Sequence, residues 1–483
     1  MSQLSGKSKF IAGTIILIAI FIAIYVGWQM LLPPHEETPP SGGGEQPPKP
    51  TEITLVVISR HGMDILKKAE TAFLSSQIAK EYGIKDIWWL TPASHLWLGV
   101  IKNRGDVDVA WGGGPVLFDT LKNEGLLQPL KGKVLDLVNT LPDEISGSPM
   151  KRFDDKGNIL WVAAAISSFG FTINKDYLNT YNLPQPDEWI DLANETYGVT
   201  LPSPSVGVAD ATRSTSNTRM YQIILQRYGW VEGWKIITLM TANSAVFDQS
   251  ESVRNAVMDG TIGVGITIDF YGYTAQLQVP SCKYILPKDG TIVNGDPIAL
   301  LNTSKHVDAA LAFIQWVLSP EGQKIWLDPN VNRLPINPEV FNTPEGKKRS
   351  DLQAQYNLTF QASTIEFSDE LAISYENSLM WFFHATLVEP QDKLKDAWMA
   401  LINAKENGKI TTDEFKKLID VMANPLKLNF TDPLTNSVKT FTLEYAQQIN
   451  SMLLNPEFKT EITNSWRAAA EQRYNLVIQA LQG

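Results

Sequence analysis

One cysteine, Cys282, occurs in 483 residues, which excludes an intrachain disulfide and a cysteine-rich metal site. Histidine is also scarce. The five are His35, His61, His95, His306 and His384, and no H-E-x-x-H, P-loop or Ser/His/Asp set accompanies them. Basic charge falls short as well, with 41 Lys and Arg against 52 Asp and Glu and a net charge of −11. That balance argues against a nucleic-acid partner, whose phosphates require a basic face. Neither a strong catalytic signature nor a cofactor motif is present.

What the sequence does have is one long apolar run. Lys7 and Lys9 precede residues 10–32, which carry no charge. At about 1.5 Å per residue this run spans the ~30 Å hydrocarbon core. A cleaved signal would have an apolar region of only ~7–15 residues and a small-residue cleavage site. Residues 24–28 offer no such site, and Tyr25 and Trp28 suit an interfacial belt. The expectation is an uncleaved transmembrane anchor at 10–32, with 1–9 cytoplasmic because basic flanks stay inside. The remainder is expected to be extracellular, giving a single-pass cell-membrane protein. Residues 33–50, with seven prolines and three consecutive glycines, read as an extended tether with almost nothing to bury.

From residue 51, β-branched runs alternate with helical spacing, as expected for an α/β body with helices over both faces of a sheet. The run EITLVVIS at 52–59 is a strand, residues 63–82 a helix, and DVDVAW at 106–111 a strand that stops at Gly112-Gly113-Gly114. A long strand begins near Leu160, and a helix over 307–318 returns the chain to the first unit. Beyond about Pro338, helical spacing dominates. Residues 341–483 are expected to be an all-helical extension, packed against the first lobe.

Three short motifs carry chemistry. Arg60-His61-Gly62 follows the first strand and resembles the R-H-G of histidine phosphatases, but the second histidine and further arginines of that chemistry are missing. Arg60 and His61 otherwise read as polar groups at the carboxyl end of a strand, where open α/β sheets bind ligands. Gly113 and Gly114 open a helix, either as an anion-binding backbone loop or as a tight turn. Asn407-Gly408-Lys409 mimics half an EF-hand, yet Lys405 would repel Ca²⁺. Helix termination at Gly408 with a Thr411/Glu414 capping box explains it better.

Five segments in order, over about residues 51–340, resemble the extracellular solute-binding proteins of ABC importers (the group of ferric-iron, thiamine, sugar-phosphate and phosphonate binders). They are DVDVAWGGGPVLFDTLKNEGLLQPL, AAAISSFGFTINKDYL, DATRSTSNTRMYQIILQRYGWVEGWKIITLMTANSAVF, SESVRNAVMDGTIGVGITIDFYGY and DPIALLNTSKHVDAALAFIQWVLSPEGQKIW. The resemblance implies a type II periplasmic-binding-protein fold with two α/β lobes and a hinge. Lobe I would take about 51–160 and 290–340, and lobe II about 161–289. It further implies a monomeric, non-enzymatic receptor that delivers a small solute to a permease and its ATPase. By position, Ser214 and Thr215 match the ligand loop, and Ser167 and Ser168 the crossover between lobes. Ser214-Thr215-Ser216 stands where many members have Ser-Gly-Thr, so the close backbone approach to ligand differs. Arg213 beside it would clamp a phosphate or carboxylate. An organic or phosphorylated anion is the expected cargo. Ferric iron, through Asp269, Tyr271 and Tyr273, is the alternative, although these tyrosines are not adjacent as in ferric binders. A surface sensor that has borrowed the fold is a further alternative.

Overall fold

A computed structural model describes residues 52–482. The expected cytoplasmic segment, anchor and tether lie outside them. Among the described residues no helix is long and apolar enough to cross a membrane.

Strand β1 (Ile53–Ser59) leads into helix α1 (Met63–Ser75), which buries Leu66, Ala69 and Phe73 against the sheet. The expected single helix over 63–82 is interrupted at Ser76, whose extended backbone and capping hydroxyl start a second short helix. Strands β2 (Ile84–Leu90) and β3 (Val109–Trp111) flank β1 in parallel, and α2 (Pro115–Asn123) follows the glycines. Strand β4 (Ile159–Asn174) is buried at every position, as a strand covered on both faces must be. Further along the chain come β5 (Val206–Ala209), α3 (Thr215–Tyr228), α4 (Trp230–Ala242), β6 (Ser244–Phe247), β7 (Val264–Ile268) and α5 (Asp269–Gln278). Strands β8 (Cys282–Ile285) and β9 (Val293–Leu300) precede α6 (Val307–Leu318).

The sheet runs β2–β1–β3–β9–β4–β7–β5–β6. Strand β4 serves both halves: residues 161–168 pair antiparallel with β9, and residues 169–173 pair with β7. The chain thus crosses between two hydrophobic cores at Ser167–Phe169. One core gathers Leu55, Phe73, Trp111, Phe313 and Trp326, and the other Phe171, Trp189, Tyr221 and Met240. These cores define a first and a second lobe.

The C-terminal region corrects one expectation. Only its start, with Phe341, Leu352 and Tyr356, joins the first-lobe core. Helices α7 (Glu376–Phe383), α8 (Gln391–Glu406) and α9 (Pro456–Ala480) merge instead with the second-lobe core. Phe382 stacks on Phe441 at 3.6 Å and meets Trp234 of α4 edge-on at 4.9 Å. Trp398 Nε1 donates to Asn243 Oδ1 at 2.7 Å. The reason is apolar content: α4 is buried along most of its length, and part of that cover comes from Phe382, Trp398 and Phe441 of the extension. The region is mostly helical, with one two-residue hairpin at Phe430–Thr431 and Val438–Lys439. The Thr411/Glu414 capping box is present as expected, after Gly408 in left-handed conformation.

Between the lobes the C-terminal region makes another crossing. Thr291 N donates to Ser363 O at 2.9 Å and Ile365 N to Thr291 O at 3.0 Å. Residues 363–365 therefore run beside the segment leading into β9. Gly290, at φ +118°, leaves room for Ile365, whose Cγ2 would lie 2.5 Å from a Cβ there.

Candidate ligand-binding cleft

The carboxyl ends of β1 and β3 face the start of α3 and the β7–α5 junction across a cleft of about 450 Å³. At its floor, Asp296 of β9 accepts from Gly113 N at 2.9 Å and pairs with Arg333 at 2.7 Å. Arg333 Nη2 also donates to Ser167 Oγ at 3.2 Å, and Nη1 lies 3.3 Å from His61 Nδ1. Because a guanidinium can only donate, His61 Nδ1 must accept, and the imidazole is neutral with its proton on Nε2. Burial lowers the His61 pKa to about 4; Asp296 opposes this and the Arg333 charge adds to it. The ring meets Trp111 at 4.7 Å and Trp326 at 5.4 Å. Burial alone would raise the Asp296 pKa, but Arg333 above all holds it below the ordinary carboxylate range.

The three glycines make this packing possible. Gly112, Gly113 and Gly114 all have positive φ, and a Cβ on Gly112 would lie 2.6 Å from His61 Nε2. The Gly113 amide that the sequence offers to an anion is already taken by Asp296. The loop therefore admits His61 and Arg60 against its backbone.

Two arginines remain at the walls. Arg60 is exposed; its Nη1 donates to Pro92 O at 3.1 Å, and it has no carboxylate partner among the described residues. Across the cleft, Arg219 lies one helical turn beyond Thr215, so both share a face of α3. It pairs with Asp369, and its guanidinium lies 4.2 Å from the Phe367 ring centroid.

Of the residues singled out in the sequence, Arg60, His61, Gly113, Gly114, Ser167, Thr215 and Tyr271 line this cleft. The others sit elsewhere. Arg213 is exposed and pairs with Asp248 at 3.0 Å. Ser214 is buried and caps α3 through Asn217 N. Asp269 is fully buried and accepts from Ser168 N and Phe270 N, both at 2.7 Å, so it ties the crossover strand to α5. Burial pushes the Asp269 pKa up to about 7. Tyr273 is buried against Tyr284, with ring centroids 5.2 Å apart. Sequence reading missed Arg219, Asp296 and Arg333. Only Asp296 left a signal, as the one acid within strand β9.

This architecture places the chain in a class. The profile of the family described as "Bacterial extracellular solute-binding protein" matches residues 100–354. The chain belongs to that family. It is 29% identical over 262 residues to the phosphoglycerate transport regulatory protein of Salmonella typhimurium, a match covering 53% of this chain and 61% of that relative. Against the spermidine/putrescine-binding periplasmic protein of Escherichia coli K12 it is 24% identical over 293 residues, covering 56% and 77% of the two chains. Among solved structures, the periplasmic binding protein AfuA of Actinobacillus pleuropneumoniae, with fructose-6-phosphate bound, superposes with a TM-score of 0.50 at 16% identity, covering 71% of this chain and 97% of that one. The spermidine/putrescine substrate-binding protein PotD of Streptococcus pneumoniae gives a TM-score of 0.51 at 19% identity, covering 68% and 98%. These likenesses establish the α/β periplasmic-binding-protein fold.

Proposed function

We propose that this protein is an extracytoplasmic receptor of an ABC importer, which captures an organic or phosphorylated anion between its lobes and hands it to a membrane permease. Arg60, Ser167, Thr215, Arg219 and Tyr271 form the ligand walls, and the lobes close on the solute about the crossing strands. One observation carries the anion reading: arginines from both lobes line one cleft whose single acid at the floor, Asp296, is already paired with Arg333. An added anion thus meets Arg60, which has no carboxylate partner among the described residues, and Arg219, whose pairing with Asp369 engages only Nη2. The names of two similar proteins, which refer to phosphoglycerate and fructose-6-phosphate, support the same class.

Ferric iron is less well served. Tyr271 alone of the two tyrosines lines the cleft, and its pKa is raised, chiefly by burial. Catalysis by His61 is disfavoured too, since its Nδ1 accepts from Arg333 and its Nε2 is buried. The N-terminal anchor would keep the receptor at high local concentration beside its permease.

Calorimetric titration of the purified full chain with 3-phosphoglycerate, fructose 6-phosphate, spermidine and ferric citrate tests the reading. Binding of a phosphorylated anion, weakened at least about tenfold in Arg60→Ala (~1.4 kcal/mol), is expected. Binding of spermidine or ferric ion alone would sink it.

A further inference from the structure

The C-terminal extension reaches Arg219, a residue of the cleft wall. After crossing between the lobes at 363–365, the chain delivers Phe367 and Asp369 to Arg219 of α3. The same extension grips the start of the loop before α3, where His384 Nδ1 lies 2.7 Å from Asp210 Oδ2. A widened helical turn over His384–Val388 carries that histidine. The loop before α3 and Arg219 within that helix are thus held by residues that lie after position 354, where the family profile's match ends.

Arg219 is not used up by these contacts. Asp369 engages Nη2, and Gln222 accepts from Nη1 at a long 3.4 Å. Buried Nε has no hydrogen-bond partner among the described residues. An arginine side chain carries about 2 kcal/mol of rotamer entropy. Holding it in place before the solute arrives removes part of that cost from binding. Phe367 sets the plane of the guanidinium, and Asp369 sets its rotation.

We propose that the extension is part of the ligand site: Asp369 and Phe367 are positioning residues that hold Arg219 as the second-lobe cation for the anionic group of the solute. This rests on the anion-receptor reading above. A merely structural Arg219–Asp369 pair would alter stability and leave affinity alone.

The test is titration of full-length wild type, Arg219→Met, Asp369→Ala, Asp369→Glu and Phe367→Leu with 3-phosphoglycerate and fructose 6-phosphate, with melting temperature recorded for each. Arg219→Met should weaken the bound probe about 100-fold, and Asp369→Ala and Phe367→Leu about tenfold. Asp369→Glu should restore affinity to within about threefold of wild type, because it returns the carboxylate. Phe367→Leu keeps apolar volume, so the result does not hang on a variant that unfolds. Unchanged affinity in Asp369→Ala and Phe367→Leu, while wild type binds, would overturn this proposal alone. Failure of wild type to bind either probe would overturn the anion reading together with it.

Discussion

Asp296 and Arg333 meet where little water reaches, with side chains 10% and 11% exposed. Removing one partner leaves the other charge buried and uncompensated. Arg333→Met is therefore expected to lower unfolding free energy by about 3–5 kcal/mol in urea titrations. Asp269 makes a different prediction. Its carboxyl titrates near 7 in the fold and near 3.8 when unfolded. Between those pH values the native state keeps a proton that the unfolded state gives up. Stability attributable to Asp269 therefore falls as pH rises from about 4 to about 7. Asp269→Asn should flatten that slope in urea titrations run across the range; an unchanged slope would assign it to another group. Asp296 acts oppositely: with a depressed pKa, its contribution is present above the ordinary carboxylate range and lost as pH falls through its folded value.

At the scale of elements, the crossing at 363–365 depends on one glycine. A Cβ at Gly290 would meet Ile365 at 2.5 Å, and the φ of +118° is costly for any side chain. Gly290→Val should destabilise by about 2–3 kcal/mol in thermal or urea denaturation. Wild-type stability in that variant would show that the crossing yields freely. The contact between the extension and the α3 loop should respond to pH. The Asp210 hydrogen bond raises the His384 pKa above 6.5, against the effect of burial. The contribution of that pair is full below 6.5 and is lost as pH rises through the folded value. Protection factors at residues 210–215, corrected for the pH dependence of intrinsic exchange, should fall over that range in wild type and stay level in His384→Asn.

For the whole molecule, the second-lobe core has no complete form without the extension, because Phe382, Trp398 and Trp466 pack into the same cluster as Tyr221, Trp234 and Met240. A chain ending at residue 340 is expected to aggregate or to lose its near-ultraviolet circular dichroism signal, since it exposes that large apolar face. A monomeric, ligand-competent product from such a truncation would show that the second lobe closes its core alone.

Much of this protein was legible from local pattern. The strand at 159–174 declared itself by a continuous apolar run, α2 and α6 by their apolar spacing, and the Thr411/Glu414 box of the tail by capping chemistry alone. Burial periodicity and caps act between residues a few positions apart, so the order of residues carries them. The cleft was only half legible for the opposite reason. Arg333 reaches Asp296 across 37 residues in sequence only because the loop after α6 folds back onto the crossing strands, and Arg219 meets Asp369 at a separation of 150. Arg213, beside the expected ligand loop, turned to Asp248 instead. Which charges face the cleft, and which lobe the extension completes, depends on contacts between distant segments, and the tertiary structure decided them.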